Sequence, residues 1–430
     1  MPTRPHSVEE IQLNNGARGL FIHVPGATVM NYELNFRAGE YLIADRHKWE
    51  TAHLMEHVIL GANRRYRDAR KFSAEFQKNG AYFNAYTSYY SIGYVGEAAD
   101  FEWERVLKLQ LLSLSQPLFL QKEFKAEWGN IHDELISYHN NHFRHLGGRL
   151  SQSFGINHPT DIERSELMKH VRRADLVEHY QRTHFAGNLR FIVAGNLRGR
   201  KQKLTAILEH CGLPSDGARF ELPMERAEQP HSPVFISNET VQNIYLYIIS
   251  CHNDYLTDDR NDALRHVKVM HTDTLHSKIF GAAREKGLVY TVNSGHTRAK
   301  TLTEWWLNAQ VLPEKAPALC QIVLDEIGKV KRGRIEDDDL QAVRQYAMGQ
   351  FQRSLQTVGS ITDSYGRYFF DGVIEDLDQV PDRIMAVTKN SMAEAVNFAF
   401  DGGIGSVGVL GGTDHQIAEK LYQQLQPLWD

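Results

Sequence analysis

The sequence predicts an α+β protein of two similar domains, each an antiparallel sheet with helices packed on it. The chain has 430 residues, which is too long for one typical domain. Strand-like and helix-like segments come in the same order before and after a region rich in proline and charge. Hydrophobic content of 42% and charged content of 23% are those of an ordinary globular protein. We therefore expect two copies of one unit of about 200 residues each.

The first half opens with segments in which hydrophobic residues alternate with polar ones. Residues 18–38 alternate on both sides of Pro25-Gly26, which predicts an antiparallel pair of half-buried strands. The elements that follow are a helix containing residues 53–57, a helix near 68–79, a strand near 81–96 and a closing strand at 189–195.

The linker is predicted at 216–234, because residues 212–233 contain four prolines, two glycines and many charges without periodicity. It divides the chain into predicted domains of residues 1–215 and 235–430. The second half repeats the order of the first, with a strand at 241–250, a helical stretch around 258–283, strands at 287–295 and 303–312, and a closing strand at 405–412.

Five residues of the first predicted helix, His53-Leu54-Met55-Glu56-His57, indicate chemistry. His53 and His57 project from one helix face and can bind one metal ion, with Glu56 beside them. Apolar neighbours predict a buried helix, where histidines are costly unless they are paired or bind a metal. H-x-x-E-H reverses the commoner zinc-protease motif and favours metal-assisted hydrolysis. The motif alone is also compatible with a helix whose histidines make ordinary hydrogen bonds.

A third ligand is needed, because a catalytic zinc takes three protein ligands. Residues 121–147 are predicted to form one long helix, on which Glu127 and Glu134 share a face. One carboxylate could bind the metal while the other orients a ligand. Taken alone, the two glutamates are more typical of a solvated helix flank. The apolar stripe of this helix comprises Phe124, Trp128, Ile131 and Leu135. The other candidates for the third metal ligand, whose spacing suits joint coordination less well, are His139, His142 and His145.

These motifs together resemble the pitrilysin/insulinase family of inverzincin metallopeptidases. In that family H-x-x-E-H is followed downstream by E-x-x-x-x-x-x-E, and here E-W-G-N-I-H-D-E runs from Glu127 to Glu134. The resemblance implies that zinc is the cofactor and that its ligands are His53, His57 and Glu134. It implies that Glu56 is the general base and that Glu127 supports a ligand. It also implies a clamshell of two α+β halves and the activity of a zinc endopeptidase acting on peptides or unfolded segments.

Two further segments carry the resemblance. Gly80 and Asn84-Ala85-Tyr86-Thr87 resemble G-x-x-x-N-A-x-T, which in the family is an edge strand where substrate adds as an extra strand; this implies that Asn84 and Ala85 bind substrate. Residues 284–290, REKGLVY, resemble R-E-K-x-G-L-x-Y, although the arginine is one residue closer to the glycine. The resemblance implies that Tyr290 and Arg284 reach the substrate and stabilise the oxyanion or hold carbonyl oxygens.

Composition and termini limit the other classes of function. A net charge of −5 argues against a general nucleic-acid binder, and the chain has no apolar stretch of membrane-spanning length. The first residues lack the apolar core of a signal peptide, which favours a cytoplasmic protein or one whose leader has been removed. The odd number of widely spaced cysteines predicts buried thiols. Short members of the family usually pair, which implies a homodimer, with a heterodimer as the alternative.

Two alternative functions are compatible with these residues. One is a non-catalytic or partner-dependent subunit of a heterodimeric peptidase of the same fold, which the complete set of His53, Glu56, His57 and Glu134 argues against. The other is a peptide-binding module with a structural zinc. A closed structural site takes four protein ligands, and the sequence offers no evident fourth.

Overall fold

Two sheets organise the chain, and each belongs to a separate unit. The structure, a computed structural model, describes residues 4–215 and 217–430. Unit 1 comprises residues 1–135, 163–222 and 352–376, and unit 2 comprises residues 136–162, 223–351 and 377–430. The predicted domains are contiguous, whereas these units exchange the segments 136–162 and 352–376. Asp216, the first residue of the predicted linker, lies outside the described residues.

The sheet of unit 1 has six strands. They are β1 (Ser7–Gln12), β2 (Arg18–His23), β3 (Val29–Phe36), β4 (Tyr82–Thr87), β5 (Ile92–Ala99) and β6 (Leu189–Gly195). Their order is β1-β2-β6-β3-β5-β4, and every neighbouring pair is antiparallel except β2 and β6. The strand predicted near 81–96 is thus a hairpin of β4 and β5, and β4 is the edge strand.

The predicted pairing of the two strands within residues 18–38 is wrong. β6 lies between them, parallel to β2 and antiparallel to β3. Both strands are buried along most of their length rather than half-buried, because they occupy inner positions of the sheet.

The sheet of unit 2 repeats this topology. Its strands are β7 (Val234–Ile236), β8 (Ile244–His252), β9 (Val289–Arg298), β10 (Thr303–Val311) and β11 (Ile404–Leu410). The order β7-β11-β8-β10-β9 matches β2-β6-β3-β5-β4 strand for strand, and β7 with β11 is again the parallel pair. The predicted α+β repeat is confirmed, and each sheet is antiparallel apart from that one pair.

Helices pack against both sheets. In the first half they are α1 (Thr51–Ile59), α2 (Ala69–Gln77), α3 (Trp103–Ser115), α4 (Gln121–His139), α5 (His142–Ser153), α6 (Asp161–Leu167), α7 (Arg173–Thr183) and α8 (Lys201–Glu209). In the second half they are α9 (Asp258–His271), α10 (Phe280–Glu285), α11 (Ala316–Lys331), α12 (Asp337–Ser354), α13 (Val358–Ser364), α14 (Arg367–Phe370), α15 (Val380–Ala386), α16 (Lys389–Phe400) and α17 (Gln416–Leu425). No helix within the described ranges is long and apolar enough to span a membrane.

Two predicted helices are each divided in the structure. The helix predicted over 121–147 ends at His139, and a new one begins at His142 because the side chain of Asn141 accepts the backbone N–H of Arg144 as an N-cap. The stretch predicted over 258–283 is divided into α9 and α10. The apolar stripe of α4 is confirmed, with Ile131 and Leu135 fully buried, and the three cysteines are free and buried.

His271 makes the stability of the fold sensitive to acid. It is buried in the core of unit 2, its Nε2 has no hydrogen-bond partner among the residues that the structure describes, and burial lowers its pKa to about 3. An unfolded histidine titrates near pH 6.5. Below that pH the unfolded chain binds a proton that the folded chain does not, so stability falls between about pH 6.5 and pH 3.

We expect His271→Leu to reduce this acid sensitivity. On going from pH 8 to pH 5, the wild type should lose about 2 kcal/mol more free energy of unfolding than the variant loses. Urea denaturation at both pH values measures the difference. His276→Leu, which removes an exposed histidine of the same unit, should show no such gain. An equal effect of the two substitutions at pH 5 would contradict the assignment.

Candidate metal centre

Helices α1 and α4 bring the three predicted ligands together. The rings of His53 and His57 lie one turn apart on α1, with centroids 5.0 Å from each other. Glu134 Oε2 lies 3.8 Å from His53 Nε2 and 3.9 Å from His57 Nε2. Tetrahedral zinc with bonds of about 2.0–2.1 Å separates its ligand atoms by about 3.4 Å. Two imidazole nitrogens and a carboxylate oxygen at this spacing therefore fit one zinc ion.

Each histidine is held at its other nitrogen by a carboxylate. His57 Nδ1 lies 3.0 Å from Glu127 Oε2, and His53 Nδ1 lies 3.1 Å from Glu50 Oε2. A carboxylate at Nδ1 keeps the proton there and leaves Nε2 as the free lone pair, the usual arrangement around a metal-binding histidine. The structure places Glu127 where a supporting residue is expected. It also identifies Glu50, which none of the sequence motifs indicates.

Glu50 is itself fixed by a buried ion pair. Its side chain has no exposed surface, and Arg164 donates from Nε at 2.5 Å and from Nη2 at 3.0 Å. Burial raises the pKa of Glu50, but the charge of Arg164 and the hydrogen bond with His53 outweigh it and bring the pKa to about 2. Glu50 therefore stays ionised and can orient His53 at any physiological pH.

The cluster favours positive charge. Burial lowers the pKa of His57, but the hydrogen bond with Glu127 and the charges of Glu56 and Glu134 outweigh it, and the net pKa is raised. The pKa of Glu127 is lowered, chiefly by its hydrogen bond with His57. Carboxylates that stabilise a proton on a histidine also stabilise a divalent cation at the same place.

We expect Glu50→Gln to weaken zinc binding by about 10- to 100-fold, because His53 loses its anionic partner. Competition with a chromophoric chelator measures the affinity, and circular dichroism checks the fold. Glu40→Gln is a matched control, since Glu40 lies 3.8 Å from Arg164 in the same network and is not a hydrogen-bond partner of His53. An equal loss in both variants would assign Glu50 a merely structural role.

Glu56 lies beside the ligand cluster but is not part of it. Its side chain is buried, and its Oε2 accepts a hydrogen bond of 2.7 Å from Thr87 Oγ1. Thr87 is the last residue of β4, so the end of the edge strand contacts the carboxylate of the predicted general base. Asn84 on the same strand is exposed, and Ala85 is buried. Thr87 is not among the predicted site residues, although it ends the N-A-Y-T segment.

Tyr290 and Arg284 belong to unit 2. Tyr290 is 82% exposed, and Arg284 Nη1 donates to the Tyr290 carbonyl oxygen at 2.7 Å, with its guanidinium over the tyrosine ring at 5.0 Å. The predicted substrate contacts of both residues stay predictions.

The competing histidines make other contacts. The rings of His139 and His145 lie 4.4 Å apart, and His142 packs edge-on against Tyr245. In the described part of the chain, the group of metal-ligating side chains that lie close to one another consists of His53, His57 and Glu134.

Family models match most of the chain. The model described as insulinase (peptidase family M16) matches residues 45–162, which contain the whole ligand cluster, and the model described as peptidase M16 inactive domain matches residues 170–346. The chain belongs to the pitrilysin/insulinase family. Within this family, an uncharacterized zinc protease of Rickettsia felis is 19% identical over 363 residues, covering 80% of this chain and 82% of the relative.

Solved structures share the fold of this family member. A protease from Helicobacter pylori matches with a TM-score of 0.84 and 15% identity, covering 94% of this chain and all of the other. A peptidase M16 inactive domain from Pseudomonas fluorescens matches with a TM-score of 0.80 and 17% identity, covering 95% of this chain and 98% of the other. At these identities the similarity concerns the fold alone.

Proposed function

We propose that this chain is a zinc-dependent endopeptidase. The observation that carries the proposal is the cluster of His53 Nε2, His57 Nε2 and Glu134 Oε2, with Glu56 on the same helix but outside the cluster. Membership of the family and the zinc protease relative support it. Zinc held by these three residues would polarise the scissile carbonyl and lower the pKa of the attacking water.

The chain's own residues then move the proton and hold the site in place. Glu56 takes the proton from the attacking water and passes it to the leaving amine. The hydrogen bond from Thr87 to Oε2 orients the carboxylate of Glu56. Glu50 and Glu127 keep the rings of His53 and His57 in the orientation that presents Nε2.

The substrate is proposed to bind as an added strand along β4. This strand is the edge of its sheet, and Thr87 at its end contacts Glu56. A peptide paired with Asn84 and Ala85 would therefore run close to Glu56, the proposed general base. Tyr290 and Arg284 are proposed to hold carbonyl oxygens or the oxyanion of the substrate.

A second candidate function is that of a non-catalytic or partner-dependent subunit. The match of residues 170–346 to the inactive-domain model favours it. Such a subunit would bind extended peptides without hydrolysing them, or would hydrolyse them only beside a second chain.

Metal removal and replacement test the proposal. The purified chain should contain about one zinc per protein by elemental analysis and should cleave a quenched peptide library at internal bonds. A chelator should abolish the cleavage, and one equivalent of zinc should restore it. Protein that holds one zinc and cleaves no peptide would contradict the proposal and support the non-catalytic subunit.

A further inference from the structure

A group of exposed basic residues lies just beyond the helix that carries His53 and His57. It occupies the loop between α1 and α2, the first turn of α2 and the first turn of α4, all in unit 1. We call this group the basic surface, and its members are Arg64, Arg65, Arg67, Arg70, Lys71 and Lys122.

The basic side chains are not paired with acidic ones. None of the six makes a hydrogen bond or an ion pair with the residues that the structure describes. Asp68, which lies among them, is the N-cap of α2, and its Oδ1 accepts the backbone N–H groups of Arg70 at 2.9 Å and Lys71 at 3.3 Å. The Oε2 of Glu123 accepts the backbone N–H of Ala62 at 3.1 Å, and its Oε1 is buried. The basic surface is therefore strongly positive, in a chain whose net charge is −5.

Lys122 belongs to the same surface although it is carried by α4. The pKa of Asp68 is lowered, chiefly by the hydrogen bond from the backbone N–H of Lys71, and the charges of Arg70 and Lys122 contribute to the shift. Lys122 therefore lies close enough to the loop to act on the same carboxylate.

The backbone of the loop is fixed. Asn63 is fully buried, and its Oδ1 accepts the backbone N–H groups of Arg65 at 3.2 Å and Tyr66 at 3.0 Å. The backbone N–H of Arg64 donates to the carbonyl oxygen of Gln116 at 3.0 Å. The side chain of Tyr66 packs against the hydrophobic core. Because the backbone is already ordered, a ligand that binds the arginines does not have to order the loop as well.

The basic surface begins about one helical turn from the metal centre. Glu127 contacts His57, and Glu123, one turn earlier on α4, contacts Ala62 just after the end of α1. With a rise of about 1.5 Å per residue, Lys122 lies about 8 Å further along α4 than Glu127. An extended peptide advances about 3.3 Å per residue, so a substrate held at the metal would reach the basic surface about two to four residues from the scissile bond.

Position and charge select the ligand. The ring of Phe76 stacks on that of Phe83 at 4.4 Å, so α2, which carries Arg70 and Lys71, packs on the strand β4 along which substrate is proposed to bind. A polypeptide bound there brings its own side chains to the basic surface. Guanidinium groups bind carboxylates through paired hydrogen bonds, and the carboxylates that a polypeptide offers are chiefly those of aspartate and glutamate.

We propose that the basic surface binds aspartate or glutamate side chains of the polypeptide substrate, about two to four residues from the scissile bond. This inference rests on the proposed endopeptidase function. It predicts that acidic residues at these positions lower KM, and that the effect weakens as the salt concentration rises, because salt screens exposed ion pairs.

Matched peptides test the inference. Zinc-loaded protein is assayed on quenched peptides that carry a pair of glutamates or a pair of glutamines at successive positions on either side of the cleaved bond. At one of these positions the glutamate pair should raise kcat/KM by about fivefold to tenfold at low salt, chiefly through KM, since each exposed ion pair contributes modestly. In about 0.5 M sodium chloride the two peptides should be cleaved at similar rates. Equal values of kcat/KM at low salt at every position would overturn the inference.

Substitutions assign the effect to the basic surface. Arg64→Gln and Arg67→Gln should each lower the ratio of kcat/KM for glutamate to that for glutamine, and the double variant should lower it further. Arg198→Gln is the matched control, because Arg198 is also exposed and unpaired among the described residues and follows β6 at the end of the sheet opposite Thr87. It should keep the wild-type ratio. An unchanged ratio in the double variant, or an equal change in Arg198→Gln, would overturn the inference.

A binding measurement separates this inference from the endopeptidase proposal. Fluorescence anisotropy with zinc-loaded Glu56→Gln protein compares the affinities for the glutamate and glutamine peptides. If the wild type cleaves both peptides equally well, the inference is overturned and the endopeptidase proposal stands. If the wild type cleaves neither, the endopeptidase proposal fails; tighter binding of the glutamate peptide then supports the basic surface as a site for acidic peptides, and equal affinities overturn it. Equal affinities together with sedimentation on phosphatidylglycerol vesicles would assign the basic surface to an anionic membrane and overturn the inference.

Discussion

Replacing Glu56 by glutamine is expected to abolish peptide hydrolysis while the protein keeps its zinc. The side chain lies outside the group formed by His53, His57 and Glu134, so its loss should not change metal occupancy. Glutamine has the same shape and still accepts the hydrogen bond from Thr87, but its amide cannot carry the proton. General-base catalysis contributes about 10²- to 10⁴-fold, and we expect kcat to fall by that factor. Elemental analysis and cleavage of a quenched peptide measure the two quantities on one preparation.

Thr87→Val serves as the control for Glu56→Gln. It removes the hydroxyl that donates to Glu56 Oε2 at 2.7 Å but leaves the carboxylate in place. We expect a smaller loss of kcat than in Glu56→Gln, because the carboxylate remains but loses the hydrogen bond that orients it. A Glu56→Gln protein that holds zinc and hydrolyses peptide at the wild-type rate would disprove the general-base assignment.

The grouping of His53, His57 and Glu134 could be predicted in part from local helical periodicity. His53 and His57 lie one turn apart on one helix whatever surrounds them. Glu134 was expected from the resemblance to the pitrilysin/insulinase family, because periodicity placed Glu127 and Glu134 on one face of a second helix without showing which of them binds a metal. Glu50 was missed because its role depends on Arg164, which is 114 residues away and reaches it only through tertiary packing. The available signal was a charged residue three positions before His53, at the start of a buried helix.

Non-local pairing explains the errors in the fold. The alternation of residues 18–38 correctly indicates two strands, but the sequence does not reveal that β6, more than 150 residues later, inserts between them. The exchange of residues 136–162 and 352–376 between the units is equally invisible to local patterns. The helix break at Asn140-Asn141 was open to prediction, because asparagine is a poor helix former and a good N-cap.

Replacing Glu134 by alanine is expected to reduce zinc affinity more than replacing Glu50 does. Glu134 supplies the anionic donor, and its Oε2 lies within 4 Å of both histidine Nε2 atoms. Loss of a supporting residue typically costs 10- to 100-fold in metal affinity, so loss of a direct ligand should cost more than about 100-fold. Chelator competition measures the affinity, and thermal denaturation of the metal-free protein shows whether the fold is intact.

Asp133→Asn provides the matched control for Glu134→Ala. Asp133 precedes Glu134 on α4 and its side chain is 91% exposed, so the variant loses the same charge from the same turn of the helix outside the cluster. We expect it to bind zinc like the wild type, and we expect the same of His139→Asn and His142→Asn. Normal zinc affinity in Glu134→Ala together with a loss in either histidine variant would transfer the third ligand to that histidine. Because a neutral imidazole would then replace a carboxylate, the site would carry one more positive charge and polarise a carbonyl more strongly.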